Sequence, residues 1–148
     1  MDPFVERHGP CTVVVRERSL PDGRPVLLFE SSGTCNSSDF GVCLERIGQR
    51  RAFTPELLTI LDIRHVQREA DADGLFQQAR IFARARVRRL VVAYISDTES
   101  TAAIAPMVRD VFGRAGVSAE IHMCRSLEDA LDWMTALGPA GDSARDAR

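Results

Sequence analysis

The stretch Arg88 to Asp97 leaves this chain the fewest ways to fold. It reads Arg-Arg-Leu-Val-Val-Ala-Tyr-Ile-Ser-Asp, with unbroken apolar character from Leu90 to Ile95. A half-exposed strand would alternate apolar and polar residues. A short, continuous run rich in β-branched and aromatic side chains instead predicts a strand buried on both faces of a sheet. Helical periodicity precedes it and follows it, so the strand belongs to a parallel α/β crossover.

The flanking segments extend that pattern. Cys11 to Arg18 opens Cys-Thr-Val-Val-Val and predicts a first strand. Leu20-Pro21-Asp22-Gly23 carries turn chemistry, and Pro25 to Glu30 is a second apolar run, so the two form an antiparallel hairpin. Ser31 to Ser38 reads as a polar loop, with Ser38 or Asp39 capping a helix whose stripe is Phe40, Cys43, Leu44 and Ile47. Gly48 and the charged residues 49–51 would close it. Leu57 to Val66 predicts a third strand, and a second helix runs from about Gly74 to Arg86 on Leu75, Phe76, Ala79, Phe82 and Ala83. Beyond the central strand, Asp97 to Ser100 would cap a third helix with Met107, Val108 and Val111 inward. Val117 to Cys124 is the last strand. Ser126, with Asp129 three residues on, opens a final helix on Leu127, Ala130, Leu131, Met134 and Leu137. The expected architecture is α/β: a single mixed sheet with an opening hairpin and alternating helices, in the order β-β-α-β-α-β-α-β-α. It occupies residues 11–137 as one domain, after an N-terminal extension (1–10) and before a polar tail (138–148) whose composition predicts disorder.

Composition removes several function classes. The net charge of −2 supplies no basic field for nucleic acid. All 19 basic residues are arginine. A chain without lysine has no Walker A loop and no Schiff-base amine, and lacks the lysine that receiver-type phospho-acceptor domains place beside their aspartates. Cys11, Cys35, Cys43 and Cys124 show no Cys-x-x-Cys spacing and read as reduced, mostly buried thiols. Cys35 lies near a helix start, which favours thiolate, but a phosphatase-type loop needs arginine six residues on and Gly41 stands there. The three histidines are far apart, and no metal or cofactor is expected. No segment reaches membrane-spanning length and the first residues carry no apolar signal core, which makes cytoplasm the default location.

The element order and three phrases resemble the SpoIIAA-like or STAS-like family, in its bacterial STAS/SEC14-type branch. Leu61-Asp62-Ile63-Arg64 looks like the Leu-Asp-x-Arg ending of that branch's third strand. Leu90 to Asp97 looks like its central strand. Arg125 to Met134, with Ala130-Leu-Asp-Trp133-Met134, is similar to its closing Ala-x-x-Trp-Leu helix. Anti-sigma-factor antagonists of the superfamily carry a phosphorylatable serine in an Asp-Ser-Ser-Gly-like turn before the second helix. Here the turn is Glu69-Ala-Asp-Ala-Asp-Gly74 and holds no hydroxyl to accept a phosphoryl group. Asp71 and Asp73 either mimic a permanent negative charge at that helix start or are ordinary helix-start acids.

The resemblance implies a non-enzymatic regulatory module that binds another protein. Its surface would centre on the second helix, with Asp71, Asp73, Arg80 and Arg84, and on the strand-end pair Ser96 and Asp97. Arg80, Arg84 and Arg88 form a stripe that meets an acidic partner or an anionic lipid surface, or pairs with nearby acids. The SEC14-type side of the resemblance implies a small lipophilic ligand near Phe40, Phe76 and Phe82, residues that any packed core would also use. The third reading is an enzyme using strand-end carboxylates, which open α/β sheets place at their sites. The number of subunits is open.

Overall fold

A computed structural model describes residues 1–69, 72–97 and 103–139. Its elements are β1 (Phe4–His8), β2 (Cys11–Ser19), β3 (Pro25–Asn36), α1 (Ser37–Arg50), β4 (Glu56–Glu69), α2 (Ala72–Arg84), β5 (Arg89–Ile95), α3 (Ile104–Arg114), β6 (Ser118–Cys124) and α4 (Leu127–Leu137). The strands form one sheet in chain order, β1 to β6. The first three pair antiparallel and the last four pair parallel, with β3 belonging to both halves.

This topology explains the layers. Successive right-handed crossovers that always step the same way leave their helices on one face. Accordingly α1, α2 and α3 share a core with Val13, Val15, Phe29, Leu61, Val92 and Tyr94. The opposite face carries Val26, Leu28, Leu58, Ile60, Val91 and Ala93, closed by Ala130 and Met134 of α4. β5 lies between both cores, and every residue from Leu90 to Ile95 is buried. That is the environment its unbroken apolar run requires.

Several expectations are corrected. Phe4–His8, within the stretch read as an N-terminal extension, adds an edge strand. It is clipped to α1: Arg50 reaches Glu6 at 3.2 Å and stands 4.1 Å over the Phe4 ring, while Arg46 donates to the Arg7 carbonyl at 2.9 Å. Second, residues 31–36 are strand rather than loop. β3 continues beside β4 from Ser32↔His65 to Asn36↔Glu69 after a bulge between Glu30 and Ser32. Third, because the strand runs on to Asn36, that residue caps α1. Its side chain accepts from the Asp39 backbone N–H at 2.7 Å, while Ser38 and Asp39 are already helical. Fourth, Cys11 and Cys35 are disulfide-bonded across the hairpin, with Cα atoms 4.7 Å apart. Cys43 and Cys124 are free and buried.

Met107, expected inward on α3, is instead exposed, and α1 runs past Gly48 to Arg50 with Arg51 as its cap, while the reading of α4 holds. Ser126 caps α4 by accepting from the Asp129 N–H at 3.1 Å. Trp133 anchors that helix by stacking on His122, ring centres 4.9 Å apart. The expected cap of the third helix lies mostly outside the described residues, as does most of the tail beyond Leu137.

Candidate functional site

The C-terminal ends of β3, β4 and β5 lead into α1, α2 and α3, the position where open α/β sheets carry their sites. Of the acids expected there, Asp71 lies outside the described residues and Asp73 is exposed in the first turn of α2. The placement of that turn follows from its neighbour. Gly74 packs directly on Ser37, and a Cβ added there would stand 2.6 Å from the Ser38 nitrogen and 2.7 Å from the Ser37 carbonyl carbon. The Gln78 side chain, buried, donates to the Ser37 carbonyl at 2.9 Å. The starts of α1 and α2 are thereby locked together.

On the opposite face, Asp62 and Arg64 point the same way from β4, as residues two apart on a strand do. Arg64 donates to the Asp62 carboxylate through its backbone N–H (3.1 Å), Nε (3.0 Å) and Nη2 (2.8 Å). Burial pushes the Asp62 carboxyl up, and the Arg64 donors and charge outweigh it, leaving the carboxyl below its ordinary range. The carboxylate raises Arg64 in turn, with smaller contributions from Asp97 and Glu30. The Leu-Asp-x-Arg phrase is therefore an ion pair in the middle of β4, which runs on to Glu69 rather than ending there. A carboxyl lowered on folding stabilises the protein above the unfolded pKa of about 3.9 and ceases to do so as pH falls through its depressed folded value. Asp62→Asn should cost about 1–2 kcal/mol at neutral pH and leave a shallower loss of stability in acid, measured by urea unfolding from pH 7 to 3.

Asp97 is exposed and falls within the field of Arg64, while the Ser96 N–H donates to the Cys124 carbonyl at 3.0 Å. The strand-end acids thus separate: Asp73 starts α2, and Asp97 is exposed within the field of Arg64. Among the described residues no three His, Cys, Asp or Glu side chains are placed to hold a metal ion.

The aromatic set also divides. Phe40 and Phe82 line a cavity of about 30 Å³ under α1 and α2, with Phe29, Leu61, Tyr94 and Phe112. A neighbouring space of about 10 Å³ is bordered by Ser31, Asn36 and Gln78. The larger has room for about two waters, against roughly 300–1,000 Å³ for small-molecule sites. Phe76 borders neither and packs, partly buried, against the core. Phe82 also meets Phe53 and Phe112 with ring centres 5.5 and 5.8 Å apart, so these rings fill the layer between sheet and helices.

No protein-family profile matches the chain, and no curated protein matches it. Its structure is similar to the crystal structure of an uncharacterised protein of the DUF3478 family, described as having a SpoIIAA-like fold, from Shewanella loihica PV-4. The identity is 17%, the match covers 86% of this chain and 98% of that one, and the TM-score is 0.59. The fold is SpoIIAA-like.

Within this SpoIIAA-like frame the arginines divide into those that hold a carboxylate and those, Arg7, Arg18, Arg46 and Arg109 among them, that make no ion pair among the described residues. Arg16, Arg24, Arg50, Arg51, Arg64, Arg89 and Arg114 each hold a carboxylate. Arg80 and Arg84, exposed on α2, and Arg86 and Arg88 just after it, make no ion pair among the described residues. The spacing of this stripe was visible in the sequence; that it makes no ion pair among the described residues was not. The residues missed from sequence are those between α1 and α2, especially Phe53 and Ile81. Ile81 falls beside the buried stripe of α2, which was the available signal. No described helix is long and apolar enough to cross a membrane.

Proposed function

We propose that this SpoIIAA-like domain is a non-catalytic bacterial regulatory or signalling module that works by binding another protein. The carrying observation is the outer face of α2, where Arg80 and Arg84 are exposed and make no ion pair among the described residues. Charges left unpaired on a rigid helix raise encounter rate and select partners of opposite sign. Asp73 at the helix start gives the face a second sign. A catalytic role for Asp62 has less to stand on, because this buried carboxylate is committed to Arg64.

The paired variants Asp73→Arg and Arg80→Glu test this. Each should reduce recovery of a mass-spectrometrically identified partner from cell extract about tenfold while leaving thermal stability unchanged. Recovery equal to wild type in both would remove the surface from α2.

A further inference from the structure

We infer that the groove between the C-terminal halves of α1 and α2 is a docking site for an acidic, amphipathic segment of a partner protein. This rests on the interaction reading above and gives it a place and a chemistry. The two helices touch at their N-terminal ends, through Gly74 on Ser37 and through Gly41 against Gln78. Toward their C-termini they leave an open groove of about 230 Å³. Its floor is Gly48, Phe53, Ile81 and Ala85, with Arg84 on the α2 rim and Glu45 and Gln49 on the α1 rim. Gly48 keeps it shallow: a Cβ there would stand 3.0 Å from the Phe53 ring.

Charge decides the occupant. Arg84 borders the groove, Arg80 lies one turn back, and Arg86 and Arg88 follow, all exposed and without ion pairs among the described residues. The opposite rim carries Glu45. A segment with carboxylates along one edge fits one way only, acids toward α2 and away from Glu45. An apolar side chain beside those carboxylates would cover Phe53 and Ile81, the helix-in-groove mode of recognition.

Two other occupants fit less well. A flat anionic lipid surface would press phosphates against Glu45 and leave the concave floor uncovered. A second copy could offer α4, whose Glu128, Asp129 and Asp132 are exposed. Yet α4 already buries Ala130 and Met134 in its own core and packs Leu127, Leu131 and Trp133 against it, which leaves no apolar side chain to insert.

The test uses the full chain, isotope-labelled, and a synthetic helical peptide with leucines at i, i+4 and i+7 flanked by glutamates. Its lysine counterpart and phosphatidylserine vesicles serve as alternative probes. The glutamate peptide should shift amides of residues 45–49 and 81–86, and the lysine peptide should not. Arg84→Glu should weaken the glutamate peptide about tenfold, and Ala85→Trp, which fills the groove without altering charge, should abolish the response. Equal binding of both peptides, shifts confined to the start of α2, or vesicle binding indifferent to Ala85→Trp would overturn the assignment. A native partner whose capture needs Arg80 but ignores Ala85→Trp would overturn the groove and leave the proposed function standing.

Discussion

Replacing Cys11 and Cys35 together by alanine should lower the unfolding free energy by about 3–4 kcal/mol and the melting temperature by roughly 10 °C. The disulfide closes a loop with a sequence separation of 24, and the chain-entropy treatment of a loop that size gives a stabilisation of this order. Both sulfurs are buried, Cys11 at 0% and Cys35 at 4% exposure, so two methyl groups in their place leave no unsatisfied polar atom. Urea unfolding in the presence and absence of reductant reads the effect directly. The native protein should lose the same stability on reduction as the double variant loses outright, and the variant should be indifferent to reductant. Identical curves for oxidised and reduced native protein would remove the cross-link from the account. The other two cysteines do not confuse this measurement. Burial pushes the Cys43 thiol up and the Cys124 thiol up to about 11, so neither supplies thiolate for exchange at neutral pH in the folded chain.

The cross-link also shows where sequence reasoning reaches its limit. Leu90 to Ile95 announced β5 because burial on both faces removes all alternation, and its shortness and β-branched, aromatic content favour a strand over a buried helix segment. The helical stripes were equally plain: Cys43, Leu44 and Ile47 of α1, and Leu75, Ala79 and Phe82 of α2, are all buried. What failed was the antiparallel end of the sheet. β1 reads Phe-Val-Glu-Arg-His and has no fully buried residue, since an edge strand clipped by arginines needs little apolar character. Ser32, Gly33 and Thr34 are exposed although paired, so their polarity imitates a loop. Gly33, with φ of 85°, also admits the Pro10 carbonyl where a side chain would sit, a close approach between distant segments that no local pattern encodes. The disulfide belongs to the same class, because its partners meet only once β2 and β3 are in register. For the candidate site, the i, i+4 spacing of Arg80 and Arg84 was readable, whereas the groove that Arg84 borders depends on how α1 and α2 diverge. That divergence follows from the close approach of their starts, where Gly74 meets Ser37 and Gly41 meets Gln78.

Gly74→Ala should destabilise the protein by about 2 kcal/mol net and shift the start of α2 away from α1. Two terms oppose each other. Alanine gains up to about 1 kcal/mol over glycine within a helix, less in a first turn. Against this, the new methyl would overlap Ser37 and the Ser38 nitrogen, backbone that is held by the Asn36 cap and by pairing of β3 with β4. Overpacking typically costs about 1–3 kcal/mol, and a methyl against constrained backbone belongs at the upper end, about 3 kcal/mol, so the steric term wins. A purely propensity-driven position would show the opposite sign. The same substitution at Gly113, near the end of α3 with nothing within 4 Å of an added Cβ, is the matched control and should be neutral or slightly stabilising. Because α2 carries both Asp73 and the arginine face, its displacement should change partner binding as well as stability, and amide shifts should spread along the helix from residue 74 to Ala85. If Gly74→Ala instead stabilised the protein, the close approach of α1 and α2 would be absent in solution. The divergence that opens the groove over Phe53 would then lose its cause.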